Sequence, residues 1–234
     1  MKEFCTVIID YIKKPDTWVA IATIATSLFA LFQTKKQIRI SNKQNLLNRR
    51  IEQYLFATEL FNLYEQSQEY FQHSLFYSRM IGVPLKFLTN SDKLSALQTY
   101  VRKFDFVKDN KDNDKYRQEY IKTLGYLKAS AEEISIIWND ENSKIIYQFI
   151  MLYYELLNKM IDQELYIRIL KYENENNETS VLNDVESQKK INEKIKQFAE
   201  KKKFDKINQQ LEDTYKIIKE KNVLQNLKES IKLN

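Results

Sequence analysis

The chain has 234 residues, 29% of them charged, and a net charge of +5, a balance too mild for a strong nucleic-acid binder. Two glycines and two prolines leave little material for hairpin turns or phosphate-cradling loops, which argues against β-rich and dinucleotide-binding folds. A single cysteine, Cys5, rules out an internal disulfide and any cysteine-rich zinc site.

What remains is rich in Leu, Ile, Lys, Glu, Gln and Asn, the residues of helices. The expected fold is all-α: an N-terminal transmembrane helix continues into a cytoplasmic helical bundle with a long C-terminal coiled-coil-like helix or hairpin. Residues 1–15 contain FCTVIIDYI, too short to cross a bilayer and suited to an interfacial segment. Pro15 ends it, with Asp16 or Thr17 placed to cap the next helix.

From Thr17 to Thr34 the run TWVAIATIATSLFALFQT holds no charge. As a helix it covers about 27 Å, a short span for a hydrocarbon core of roughly 30 Å. Trp18 suits the interface, and the hydroxyls of Thr23, Thr26 and Ser27 can bond back to the preceding turn. The competing reading is an unusually apolar core helix of a soluble protein. Residues 16–36 are therefore read as the membrane segment, with Thr23, Thr26, Ser27 and Ala30 at small-xxx-small spacing for self-association.

A basic collar follows: Lys35, Lys36, Arg39, Lys43, Arg49 and Arg50, with no acid between Asp16 and Glu52. Excess Lys and Arg marks the cytoplasmic flank, so the N-terminus is expected outside and the rest inside. The same cations can meet anionic lipid headgroups. No secretory cleavage pattern follows the apolar run, which reads as an uncleaved anchor.

Residues 37–172 are expected to form the cytoplasmic helical domain. Leu47, Ile51, Tyr54, Phe61, Tyr64, Phe71 and Leu75 recur at threes and fours and predict one helical face. A second helix is expected over 91–108, carrying Leu94, Leu97, Val101 and Phe104. NKDND at Asn110–Asp114 reads as a loop. The next helix, 115–138, carries Tyr116, Tyr120, Leu124, Leu127, Ile134 and Trp138. Capping side chains at Asn139–Ser143 then precede an amphipathic helix reaching about Tyr172, whose Ile146, Phe149, Tyr153, Leu156, Met160 and Ile167 are expected to face the centre of the core.

Residues 173–234 read as a linker, ENENNETS, followed by a coiled-coil-like extension. Phe204, Ile207, Leu211, Tyr215 and Ile218 make a narrow apolar seam, which pairs either with a partner in trans or with the body by folding back. Lys201, Lys202 and Lys203 interrupt the pattern and permit a kink or hairpin.

No residue set points to catalysis. His73 is the sole histidine and lacks a nucleophile motif beside it. Glu132 with Glu133, and Asp140 with Glu141, read as caps and a solvated face rather than metal ligands. No metal or cofactor is expected, and no enzymatic activity. The 15 Tyr and 13 Phe fall mostly at core spacing, so RNA binding through Lys189–Lys206 ranks below protein contact.

The basic helix QIRISNKQNLLNRRIEQY at Gln37–Tyr54 and the stretch EEISIIWNDENSKIIYQFI at Glu132–Ile150 resemble a set of uncharacterised bacterial and prophage proteins with one N-terminal span and a helical cytosolic domain. The resemblance covers residues 16–170 and implies no catalytic residues. It implies accessory or mobile-element genes, with membrane-linked phage defence as a setting. The expectation is a non-enzymatic single-pass protein of the bacterial inner membrane, acting by contact with a second copy or a helical partner. The alternatives are a holin-like oligomer that permeabilises the membrane and a membrane-tethered RNA-binding module.

Overall fold

Scarce glycine and proline translate directly into helix. The structure is a computed structural model that describes residues 15–74, 82–104, 111–176 and 184–231. Among these residues the chain is all-α, with eight helices and no strand: α1 Pro15–Ser74, α2 Gly82–Leu88, α3 Ser95–Lys103, α4 Lys111–Trp138, α5 Glu141–Asn176, α6 Asp184–Lys201, α7 Phe204–Glu220 and α8 Val223–Ser230. The expected interfacial segment before Pro15 lies outside the described residues, as do Leu75 and residues 177–180 of the expected linker.

The chain divides into two units at Arg49/Arg50. The first is described by α1 up to Arg49, whose described side chains are exposed apart from half-buried Leu47. Pro15 opens it, where a missing N–H costs nothing and the fixed φ is already helical.

In the second unit α5 is the central element, touching α2, α3, α4, α6, α7 and α8. Its periodic apolar positions explain this: Ile146, Phe149, Tyr153, Leu156, Met160 and Ile167 are all buried. A reciprocal cap starts the helix. The Ser143 N–H donates to Asp140 Oδ1 at 2.7 Å and the Asp140 N–H to Ser143 Oγ at 3.1 Å, satisfying two orphan donors. Asn139, with φ 50°, ends α4 just before it in the left-handed region that Asn tolerates.

Three boundaries differ from the sequence reading. Lys111–Asp114 belongs to α4 rather than to a loop, with Asp112 and Asp114 in the first turn, where carboxylates favour the positive end of the helix dipole. The helix α5 runs on to Asn176, and α3 is shorter than expected. The expected face of α1 is buried at Phe61 and Tyr64, whereas Ile51 is exposed and Tyr54 half-buried, and Phe56, Ala57, Leu60 and Leu63 enter the core as well.

The C-terminal segment is built into the second unit. Helix α6 packs on α5 through Ile195 against Ile167 and Leu170, and Phe198 stacks on Tyr166 at 4.6 Å. The chain breaks at Lys203, φ 56°, and again at Asn222. These breaks fold α7 and α8 back onto α5.

Candidate membrane anchor and its basic collar

Among the described residues one helix is long and apolar enough to cross a membrane, and its most apolar window is 0% buried. Trp18, Val19, Ile24, Leu28, Phe29, Leu31 and Phe32 are each more than half exposed. Leaving so many large apolar side chains in water would forfeit about 1.5–3 kcal/mol for each one that could be buried. The polar groups of this stretch close on their own helix. Thr23 Oγ1 donates to the Val19 carbonyl at 2.8 Å, Thr26 Oγ1 to Ala22 at 2.9 Å, Ser27 Oγ to Thr23 at 2.7 Å and Thr34 Oγ1 to Ala30 at 2.8 Å. A helix with its backbone paired and its hydroxyl protons satisfied meets the demand that lipid places on any spanning segment.

The collar residues Lys35, Lys36, Arg39, Lys43 and Arg49 are exposed on the same unit. Phe32, Lys35, Ile38, Arg39, Asn42 and Leu46 share one concave strip that also takes in Lys36 and Lys43. Its cations sit on long apolar stems beside aliphatic and aromatic side chains, the combination that lies at the boundary of headgroups and acyl chains.

Arg50, the last of the six cations, is placed differently. It belongs to the second unit and is half-buried. Its Nη2 donates to the Ile137 carbonyl at 3.3 Å and its Nη1 to the Ser230 carbonyl at 3.4 Å. It therefore serves two helix C-termini, those of α4 and α8.

The C-terminal seam is internal. Phe204, Ile207, Leu211, Tyr215 and Ile218 are all buried in the core of the second unit, so the fold-back alternative describes it. Tyr215 stacks on Phe61 at 4.8 Å. Its hydroxyl donates to Glu65 Oε1 at 2.7 Å, and Lys219 Nζ reaches the same oxygen at 2.6 Å. Those two hydrogen bonds, Lys219's first, hold the Glu65 carboxyl below its usual range, and burial pushes the Tyr215 hydroxyl up. The sequence reading did not find this latch, because Glu65 carries no periodic or motif signal.

Of the chemistry-bearing residues weighed from sequence, Glu133 accepts from Gln53 Nε2 at 2.7 Å and Asp140 caps α5. His73 lies in the last turn of α1. No group of three His, Cys, Asp or Glu side chains comes together among the described residues. Comparison with protein-family models, with curated proteins and with solved structures finds no match.

Proposed function

We propose that this chain is a single-pass, membrane-anchored helical protein that works without catalysis, through contact with other protein at a bacterial inner membrane. A membrane-linked effector in phage defence is the most specific form of this reading. One observation carries it: the apolar window of α1 is 0% buried, while the hydroxyls inside it already donate to their own helix. The collar after the span supports a cytoplasmic location for the helical body. Hydroxyl protons that are taken up by backbone carbonyls support an anchor over a water-lined leak.

Fractionation tests the reading. The full chain is expected to stay in membranes through alkaline carbonate and to leave them in detergent, whereas a version starting at Gln37 is expected in the soluble fraction. Carbonate release of the full chain would overturn the anchor. Unchanged membrane potential on expression is expected for an anchor, and depolarisation would favour the leak.

A further inference from the structure

Helices α2, α3 and α5 of the second unit line a cavity of about 120 Å³, room for about four water molecules. Its floor is apolar, formed by the buried side chains of Leu85 on α2 and Val101 on α3. Around that floor stand Lys86, Gln98, Arg102 and Glu164: two exposed cations, a half-buried amide and a half-buried acid. Each pair of the three helices is tied by a hydrogen bond. Gln98 Nε2 donates to the Lys86 carbonyl at 3.1 Å, Arg168 Nη1 to the Val101 carbonyl, and the Tyr153 hydroxyl to the Leu88 carbonyl at 2.6 Å. The cavity is therefore preformed, as small-molecule sites usually are.

Glu164 is the lining residue that the packing of the fold does not explain. Burial pushes its carboxyl above the usual range, with Lys171 and Arg168 opposing the rise through their charge. Among the described residues no hydrogen bond or ion pair holds it. A half-buried acid in that setting gains from a cationic donor placed against it. Lys86 and Arg102, on the other two helices, are likewise joined to no acid among the described residues and gain from an anion. Gln98, with Nε2 engaged at the Lys86 carbonyl, keeps its side-chain oxygen as an acceptor.

We propose that this cavity binds a small zwitterion, an α-amino acid of the size of glycine or alanine. Its carboxylate pairs with Arg102 and Lys86, its ammonium donates to Glu164 and the Gln98 oxygen, and its short carbon skeleton rests on Leu85 and Val101. Size and charge select this class. The volume holds roughly five or six non-hydrogen atoms, which fits glycine and alanine and turns away longer side chains. A bare anion such as acetate leaves Glu164 without a donor and adds a like charge near it, and a bare amine leaves both cations without an acceptor. A ligand carrying both charges answers all four polar groups. The site lies wholly within the second unit and stands whether or not α1 spans a membrane.

Isothermal titration calorimetry of the full chain in detergent tests the proposal. L-alanine and glycine are expected to bind with a dissociation constant on the order of 1 mM, since the ligand is small and both cations are open to solvent. Acetate, methylammonium and L-leucine are expected to bind at least about tenfold more weakly. Glu164→Gln keeps the shape of the acid and removes its charge, and Arg102→Gln removes a cation at an exposed position. Each is expected to weaken alanine binding at least about tenfold, with urea midpoints showing that both variants fold. Lys128→Gln, exposed on α4 and outside the cavity, is expected to bind as the natural chain does. No heat from alanine or glycine at about twenty times the expected constant would overturn the site, and so would undiminished binding by both cavity variants. Acetate bound as tightly as alanine would overturn the zwitterion.

Discussion

The guanidinium of Arg50 lies 6.0 Å over the ring of Trp138, and its Nη2 donates to the carbonyl of Ile137, one residue before that ring. The same tryptophan donates from Nε1 to Ser230 Oγ at 2.6 Å, and Ser230 in turn offers its carbonyl to Arg50. A cation thus closes the negative ends of α4 and α8 together. Its Nε is buried without an acceptor, which offsets part of the gain. Replacing Arg50 by Met is expected to lower the unfolding free energy by about 1–2 kcal/mol. Urea unfolding in detergent, followed by circular dichroism, measures it. An unchanged midpoint would show that the two carbonyls are served equally well by water.

The Glu65 latch makes a prediction in pH. Its carboxyl sits below the usual 4.5 because Lys219 and Tyr215 donate to it. A carboxylate lowered in the folded state contributes stability above its unfolded pKa and loses that contribution as pH falls through the folded value. The melting temperature of the natural chain is therefore expected to exceed that of Glu65→Gln at pH 7. The gap is expected to close under strongly acidic conditions. The carboxylate is largely open to solvent, so screening keeps the gap small. A difference independent of pH would mean that packing, not charge, joins Glu65 to α7.

Tyr153 is wholly buried in α5, and its hydroxyl donates to the Leu88 carbonyl at 2.6 Å. Leu88 is the last residue of α2, where carbonyls lack helical partners. Burial holds the phenol far above its ordinary range, so it remains a donor throughout the working pH range. Tyr153→Phe keeps the ring and strands that carbonyl, at an expected cost of about 1–3 kcal/mol. Hydrogen exchange should show the loss concentrated in α2 and α3. A uniform loss across the second unit would argue that the bond serves the whole core.

The residues legible from sequence were those whose environment is written in their own spacing. The uncharged run before Lys35 and the inward face of α5 are of this kind, since neither needs knowledge of a partner. Helix α1 was harder because it carries two apolar stripes. Spacing by threes and fours picks out Ile51 and Tyr54 as readily as Leu60 and Tyr64, and only the body decides that Phe56, Ala57, Leu60 and Leu63 fill the core. Lys111–Asp114 looked like a loop from its polarity, yet acids in a first turn suit a helix start. Arg50 could not be separated from its collar neighbours at all. Its partners are backbone carbonyls 87 and 180 residues away, and a backbone carbonyl leaves no mark on sequence.

The span makes a prediction independent of self-association. Leu28 lies near the middle of the uncharged run and is 63% exposed. A lysine there would place an ammonium near the centre of the hydrocarbon, a change of about 3–4 kcal/mol relative to Leu on insertion scales. Leu28→Lys is expected to move much of the chain from the carbonate-resistant to the soluble fraction while leaving the fold of the second unit unchanged. Full membrane retention would show that something other than this run holds the chain there.

Leu211 separates the two readings that sequence left open for the C-terminal seam. It is completely buried, in one core cluster with Leu156, Leu157 and Tyr215, and truncation to Ala removes methyl groups from a site with little room to relax. The expected cost is about 2–5 kcal/mol, combining lost transfer energy with the cavity left behind. Because α7 packs against α5, that loss should appear as a lower urea midpoint of the isolated chain, with no partner present. A seam that served only a partner in trans would behave otherwise: Leu211→Ala would leave the chain's own stability untouched and weaken only the complex. Exposed Gln209 on the same helix supplies the control. Gln209→Ala is expected to leave the midpoint within about 0.5 kcal/mol of the natural chain, as surface changes usually do.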